Sequence, residues 1–198
     1  MKKISLVFLA VITILIVGTI NVNAADSPPY IGGKYTRGIS RISWWMSYNN
    51  NGGWYEFQIN NAINNWQSPG WSNSITFVEA SSNAGTMLDF YSRPSNFWSS
   101  SNIIASTTHY DSNSTPMHPN NGKISGNYLF VRINLNDGIM HNFEVEKMRG
   151  TITHEIGHAL SMGENNGNVN SIMCQTGAGR AVQRVQKIDN DKVVSIYK

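Results

Sequence analysis

Cysteine is almost absent from this chain, since Cys174 is the only one among its 198 residues. An internal disulfide is therefore excluded, and the fold must depend on its core, with or without a bound metal. Charge is also scarce: 14% of the residues are charged, with 15 basic and 12 acidic side chains. This near balance argues against a nucleic-acid partner, which usually requires a strongly basic surface.

Long apolar runs are missing too, with one exception at the N-terminus. Two lysines precede an apolar run over residues 4–20, and Val22 and Ala24 then place small residues where a signal peptidase accepts them. The pattern predicts a signal peptide over residues 1–24, although an uncleaved membrane anchor would have a similar length. Removing the two lysines leaves 13 basic against 12 acidic residues, so the exported chain carries a charge of about +1. We expect a secreted protein with no stable membrane association after cleavage.

The remaining residues suffice for one domain with a sizeable core, and nothing suggests a second domain. Pro28-Pro29 and Gly32-Gly33 predict an extended N-terminal arm over residues 25–38. The single domain then occupies residues 39–198, and we expect it to be a monomer.

Hydrophobic patterning within this domain predicts an α+β fold. Residues 54–66 carry apolar side chains at i, i+4, i+7, i+8 and i+11, a single helical stripe, and residues 142–161 predict a second long helix. Alternating or β-branched segments predict strands over residues 39–48, 75–79, 86–91, 103–110 and 128–135. One sheet with helices on one side is the arrangement that this order favours.

The second helix carries His154, Glu155 and His158. Residues four apart lie on one helical face, so the two imidazoles can bind one metal ion while Glu155 stands beside it. This is a zinc hydrolase site in outline. The alternative is a chance spacing in an ordinary helix.

A catalytic zinc usually has three protein ligands and a water, so a further ligand is needed. Glu164 is the only carboxylate between His158 and Asp189, which makes it the favoured third ligand, with Asn165-Asn166 or a water as substitutes. The backbone must turn back between the histidine and Glu164. Gly163 is suited to make this turn by adopting a positive φ.

Residues 154–164 resemble the metzincin signature HExxHxxGxxH, and Ser171-Ile172-Met173 resembles the methionine turn that follows it in this family. The segments around them are most similar to the matrixin-like branch, including a terminal helix over residues 189–197. The resemblance implies a twisted, mostly parallel sheet packed with two long helices. It also implies a small C-terminal subdomain after the zinc helix, ending in a short helix.

Two positions depart from the family pattern: Ser161 replaces a glycine, and Glu164 replaces the third histidine. Zinc accepts carboxylate oxygen, so the second change is chemically tolerable. The first is harder to accommodate, because a residue other than glycine resists positive φ. Either Ser161 is helical and the turn falls at Gly163, or Ser161 itself is strained.

The resemblance implies a secreted zinc-dependent endopeptidase, with one catalytic Zn²⁺ held by His154, His158 and Glu164. Glu155 would be the general base toward a zinc-activated water, and Met173 would pack beneath the metal without binding it. A protein or peptide substrate would lie extended along the strand at residues 103–110, and residues 176–184 would form the wall beyond the cleaved bond.

Three other interpretations stay open at this point. The chain is alternatively a catalytically weak, metzincin-like secreted binding protein. A secreted carbohydrate-binding module would use Trp44, Trp45, Trp54, Trp71 and Trp98, although core packing is the commoner role of such residues. His109, Asp111 and His118 hint at a second, structural Zn²⁺ or at Ca²⁺, although a solvated polar loop over residues 111–127 is favoured.

Overall fold

The computed structural model describes residues 27–198, so the predicted signal peptide and its cleavage site lie outside the described residues. The described part contains six strands, four α-helices and two short 3₁₀-helices. The 3₁₀-helices are Ser95–Phe97 and Thr176–Ala178, and the other elements follow in chain order: β1 (Ile42–Met46), α1 (Gly52–Gln67), β2 (Phe77–Glu79), β3 (Leu88–Arg93), β4 (Ala105–Tyr110), β5 (Pro116–Met117), β6 (Phe130–Asn136), α2 (Asp137–Met140), α3 (Val145–Ala159) and α4 (Lys187–Ile196).

The six strands form one sheet in the order β2-β1-β3-β6-β4-β5. The first four strands in this order run parallel, whereas β4 is antiparallel to β6 and β5 is antiparallel to β4. The predicted α+β class is therefore confirmed, and the sheet is mostly parallel. The loop predicted over residues 111–127 differs in one respect, because it contains the two-residue strand β5.

Helix α1 buries the apolar stripe that its sequence predicts: Tyr55, Ile59, Ala62, Ile63 and Trp66. Helices α1 and α3 pack against each other and on the sheet, α1 against β3 and α3 against β4 and β6. The indole Nε1 of Trp66 also donates a hydrogen bond of 2.8 Å to the carbonyl oxygen of Thr153 on α3. The two long helices thus lie on one face of the sheet, and α3 is held on both sides.

The N-terminal arm pairs with the turn that follows α3. The backbone N–H of Ile31 donates to the carbonyl oxygen of Ser161 at 3.1 Å. The backbone N–H of Gly163 donates to the carbonyl oxygen of Pro29 at 2.8 Å. The arm therefore lies beside the segment that leads from α3 to Glu164.

Helix α4 is tied to residues 171–173 by the buried Asp189. Its Oδ1 accepts a hydrogen bond of 2.5 Å from the Ser171 hydroxyl, and its Oδ2 accepts from the backbone N–H of Ile172 at 3.0 Å and of Gln186 at 2.9 Å. These bonds fix the start of α4, two residues before the predicted start at 189. Within residues 27–198, none of the helices has the length and apolar character needed to cross a bilayer.

Candidate metal centre

His154 and His158 lie four residues apart on α3, and their Nε2 atoms face each other at 3.1 Å. The Nδ1 atom of His154 is 2.9 Å from the carbonyl oxygen of Ile172, and that of His158 is 2.8 Å from the carbonyl oxygen of Met162. A carbonyl only accepts, so each Nδ1 donates a proton to its carbonyl and the two Nε2 atoms are left facing each other. Either a proton carried by one of the two Nε2 atoms or a metal ion bound by both satisfies this contact. Two nitrogens bound to one tetrahedral zinc are roughly 3.3 Å apart, close to the observed separation.

Glu164 brings a carboxylate to the same point. Its Oε1 is 3.3 Å from Nε2 of His158 and its Oε2 is 3.5 Å from Nε2 of His154. One ligand atom from each of the three residues lies within 4.8 Å of the others. The buried Oε2 has no hydrogen-bond partner among the described residues, as expected of an oxygen that serves a metal rather than a donor. The three residues therefore fit a zinc ion.

The charges of this cluster reinforce one another. Burial alone would raise the pKa of Glu164, but the neighbouring imidazoles of His154 and His158 lower it to about 2. Burial would likewise lower the pKa of His158, but the carboxylates of Glu164 and Glu155 raise it to about 9. Glu164 is consequently ionised at neutral pH and carries the negative charge that a divalent cation requires.

The turn after α3 is made at Ser161, which has a φ of 78°. The N–H of Ser161 donates to the His158 carbonyl at 3.0 Å, and the N–H of Met162 donates to the Gly157 carbonyl at 3.1 Å. This is the Schellman arrangement, in which a left-handed residue ends a helix. The prediction that Gly163 adopts the positive φ was wrong, since Gly163 is not among the residues with that conformation.

A buried hydroxyl cluster explains why serine tolerates this conformation. The Ser161 hydroxyl is 2.7 Å from the Tyr128 hydroxyl and 3.0 Å from the Tyr197 hydroxyl, and the side chain is fully buried. Tyr128 also donates to the carbonyl oxygen of Ala159 at 2.6 Å. These contacts hold the end of α3 from two distant segments, those at Tyr128 and at Tyr197, and offset the backbone strain at Ser161.

Glu155 is positioned by β4. The Thr107 hydroxyl lies 2.6 Å from Oε2 of Glu155 and 3.1 Å from its backbone carbonyl oxygen. The Thr107 bond falls on Oε2 and not on Oε1. One oxygen is thus held in place while the other is available to accept a proton, the arrangement that a general base needs.

Met173 packs directly beneath α3 at Gly157. A Cβ at Gly157 would lie 2.2 Å from the Met173 sulfur, so a side chain there would displace the methionine. Met173 is fully buried. Cys174 is also buried, its burial raises the pKa of the thiol, and it is not part of the metal cluster.

A cavity of about 590 Å³ opens beside the three candidate ligands and Glu155. Residues 105–107 of β4 line this cavity, as do residues 175–177 and Arg180. Strand β5 pairs with β4 only at His109 and Tyr110, so the edge of β4 is open along the cavity. An extended peptide has free backbone donors and acceptors to pair with there.

The other predicted site residues do not assemble into a site. His109 is buried with its Nε2 3.0 Å from the His158 carbonyl oxygen, and Asp111 accepts hydrogen bonds from the N–H groups of Asn113 and Thr115. Within residues 27–198, the cluster of His154, His158 and Glu164 is the one group of three or more His, Cys, Asp or Glu side chains able to hold a metal.

The structure bears on one substitute ligand and on the tryptophans. The Asn166 side chain pairs with Gln175 rather than with the histidines. Trp44 is only 3% exposed, which removes it from any sugar-binding surface, whereas Trp54 and Trp71 are 58% and 39% exposed.

Thr107 and Asp189 were missed as contributors to the site, and Arg180 lies in the predicted wall at residues 176–184 without having been singled out there. Thr107 lies on a strand that was predicted, but nothing in its local sequence pairs it with Glu155, 48 residues later. Asp189 lies in the first turn of the terminal helix, where an acidic residue is a common sign of a helix N-terminus. Its bonds to residues 171 and 172 are tertiary, so no local pattern predicts them. Arg180 follows a glycine-rich segment that has no hydrophobic period.

No protein-family model matches the sequence, and no curated protein matches it. Among solved structures, 43 chains match, including one described as "GM1 bound form of the ECX AB5 holotoxin". That chain is 18% identical to this one with a TM-score of 0.52, and the match covers 88% of this chain and 92% of that chain. At this identity the similarity shows a shared fold and carries no information on activity.

Proposed function

We propose that this chain is a secreted zinc-dependent endopeptidase of metzincin type. The observation that carries the proposal is the convergence of two imidazole Nε2 atoms and the Glu164 carboxylate beside Glu155, in a cavity bordered by an open strand edge. Resemblance of residues 154–164 and 171–173 to the metzincin pattern supports the same assignment.

His154, His158 and Glu164 would hold the zinc ion, which supplies Lewis acidity toward a water and the substrate carbonyl. The Ile172 and Met162 carbonyls orient the two imidazoles, because each accepts the proton on Nδ1. Oε1 of Glu155 accepts a proton from the attacking water, and Glu155 then passes this proton to the leaving amine. Thr107 keeps that carboxylate aligned, and the edge of β4 holds the peptide extended beside it.

The alternative of a catalytically weak binding protein assumes that Ser161 and Glu164 have spoiled the site. The geometry favours the enzyme, because Ser161 takes the left-handed conformation that a glycine would take and Glu164 reaches both histidines. Carboxylate is also an accepted ligand of catalytic zinc.

The test combines metal analysis with peptide cleavage. We expect one zinc per chain, cleavage of a casein-derived peptide mixture that a chelator abolishes and zinc restores, and a loss of at least about 100-fold in Glu155→Gln with zinc retained. Glu146→Gln is the matched control, since it removes the same charge from an exposed position on the same helix. A zinc-free protein, or full activity in Glu155→Gln, would contradict the proposal; bound zinc without cleavage would favour the binding protein.

A further inference from the structure

Arg180 is a buried cation in the wall of the cavity beside the candidate metal centre. Its side chain is among the cavity-lining residues, and the residue is only 8% exposed. Its backbone is fixed by the bond from its N–H to the Gln175 carbonyl at 3.3 Å and by the next residue, whose N–H donates to Val169 at 2.8 Å. These bonds fix the point at which the Arg180 side chain leaves the backbone.

Among the described residues the guanidinium forms no direct ion pair, and the carboxylates of Glu155 and Glu164 act on it only from a longer distance. Across residues 27–198 no carboxylate lies within 4.0 Å of it in an ion pair, and its two bonds go to neutral acceptors. These are the Cys174 carbonyl oxygen, 3.3 Å from Nη1, and Oε1 of Gln183, 3.4 Å from Nη2. The buried Nε has no hydrogen-bond partner in the same part of the chain. Arginine is almost never this deeply buried unless its charge is paired, so the missing partner points to a ligand.

Charge counting in the cavity leads to the same conclusion. Besides Arg180 and the three histidines, the titratable side chains in its wall are the carboxylates Glu155 and Glu164. The two positive charges of a zinc ion balance both carboxylates. The charge of Arg180 then remains, and the loaded cavity favours an anionic group of the substrate.

We propose that Arg180 is a specificity-determining residue that selects peptide substrates with an acidic side chain, Asp or Glu, next to the cleaved bond. The planar guanidinium fork matches a carboxylate, and it binds a charged carboxylate more strongly than a neutral side chain. The inference rests on the proposed peptidase function, since it names the substrate class of the same site.

The wild-type protein provides the first measurement. The substrates are peptides blocked by acetyl and amide groups, so that side chains carry their only carboxylates. Glu or its isostere Gln is placed in turn at four positions, two on each side of the cleaved bond. At one of these positions we expect kcat/KM to be roughly 10- to 100-fold higher for Glu, the range for a hydrogen bond to a charged group. Equal rates for Glu and Gln at all four positions would overturn the inference.

Variants then assign the preference to Arg180. We expect Arg180→Gln to abolish the discrimination, Arg180→Lys to retain part of it, and Arg180→Glu to prefer a Lys-containing peptide. Arg184→Gln is the matched control, because Arg184 is exposed nearby and its replacement removes the same charge without touching the cavity. Where Arg180→Gln lowers the unfolding midpoint, the Lys variant decides, because it restores the charge in the wall. A Glu preference that persists in both Arg180→Gln and Arg180→Glu would show that another group makes the selection.

A binding measurement separates this inference from the proposed function. The zinc-loaded Glu155→Gln variant is titrated calorimetrically with the same Glu and Gln peptides. If the wild-type protein cleaves no peptide but this variant binds the Glu peptide more tightly through Arg180, the endopeptidase assignment fails and the acidic-ligand site stands. If peptides are cleaved without a Glu preference in rate or binding, the endopeptidase stands and the role of Arg180 is refuted.

Discussion

The turn at Ser161 combines two opposing contributions to stability that substitution can separate. A residue with a Cβ in the left-handed conformation costs roughly 1–2 kcal/mol, which glycine avoids. The hydroxyl that serine gains in return bonds to Tyr128 and Tyr197 in a fully buried position. Removing a buried hydrogen-bonding partner costs about 1–3 kcal/mol.

We therefore expect the free energy of unfolding to fall in the order serine, glycine, alanine at position 161. Ser161→Ala keeps the strain and loses the hydroxyl, so it should be destabilised by about 2 kcal/mol. Ser161→Gly loses the hydroxyl but relieves the strain, so it should be about 1 kcal/mol more stable than the alanine variant.

The assay is urea denaturation followed by tryptophan fluorescence, with chelator present so that metal binding does not contribute to stability. Ser195→Ala on the exposed side of α4 is the control and should change the unfolding free energy by no more than about 0.5 kcal/mol. Combining Ser161→Ala with Tyr197→Phe should show a coupling of about 1 kcal/mol, because the two hydroxyls are 3.0 Å apart. An alanine variant as stable as the wild type would refute the role of the hydroxyl, and a glycine variant no more stable than alanine would refute the strain.

Three further predictions concern the neighbourhood of the metal centre. Glu164→Ala should weaken zinc binding by more than about 100-fold in a competition assay with a chromogenic chelator. Even a residue that only bonds to a ligand changes metal affinity by about 10- to 100-fold, and a ligand itself should change it by more. Unchanged affinity would mean that another group is the third ligand. Thr107→Val should lower kcat by roughly tenfold or more with KM nearly constant, since the variant keeps the shape but loses the 2.6 Å bond to Glu155; a changed KM at constant kcat would instead place Thr107 in substrate binding. Burial lowers the pKa of His109 to about 4 in the folded protein, whereas the same side chain titrates near 6.5 in the unfolded chain. Because the unfolded chain binds the proton first as the pH falls, the free energy of unfolding is highest above about pH 6.5 and falls by about 3 kcal/mol between about pH 6.5 and 4. His109→Gln should flatten this part of the stability curve, and an unchanged pH profile would assign the loss to other groups.

The elements of the fold were predictable from sequence wherever local periodicity and tertiary packing agree. The stripe from Tyr55 to Trp66 is buried as predicted, because a helix can turn it toward the sheet without any other requirement. The pair His154 and His158 was predictable for the same reason, since helix geometry alone brings their rings together.

The remainder of the site depends on contacts between distant segments, which no local pattern reports. Ser161 rather than Gly163 adopts the positive φ because its hydroxyl meets Tyr128 and Tyr197, far away in the chain. Arg180 reaches the cavity wall because its loop folds back on Gln175. Propensity describes each of these residues in isolation, and their neighbours in space decide what they do.

The pairing of the N-terminal arm with the turn at residues 161–163 has a consequence for the order of folding. The three candidate ligands lie within residues 154–164, so short-range contacts bring them near one another early and at little entropic cost. The arm contacts at Pro29 and Ile31 close loops that span about three quarters of the described chain, and such long-range contacts are slow to form. The segment that delivers Glu164 therefore becomes rigid only in the last stage of folding. Until then the chain can gather the metal but cannot hold the geometry that the reaction requires.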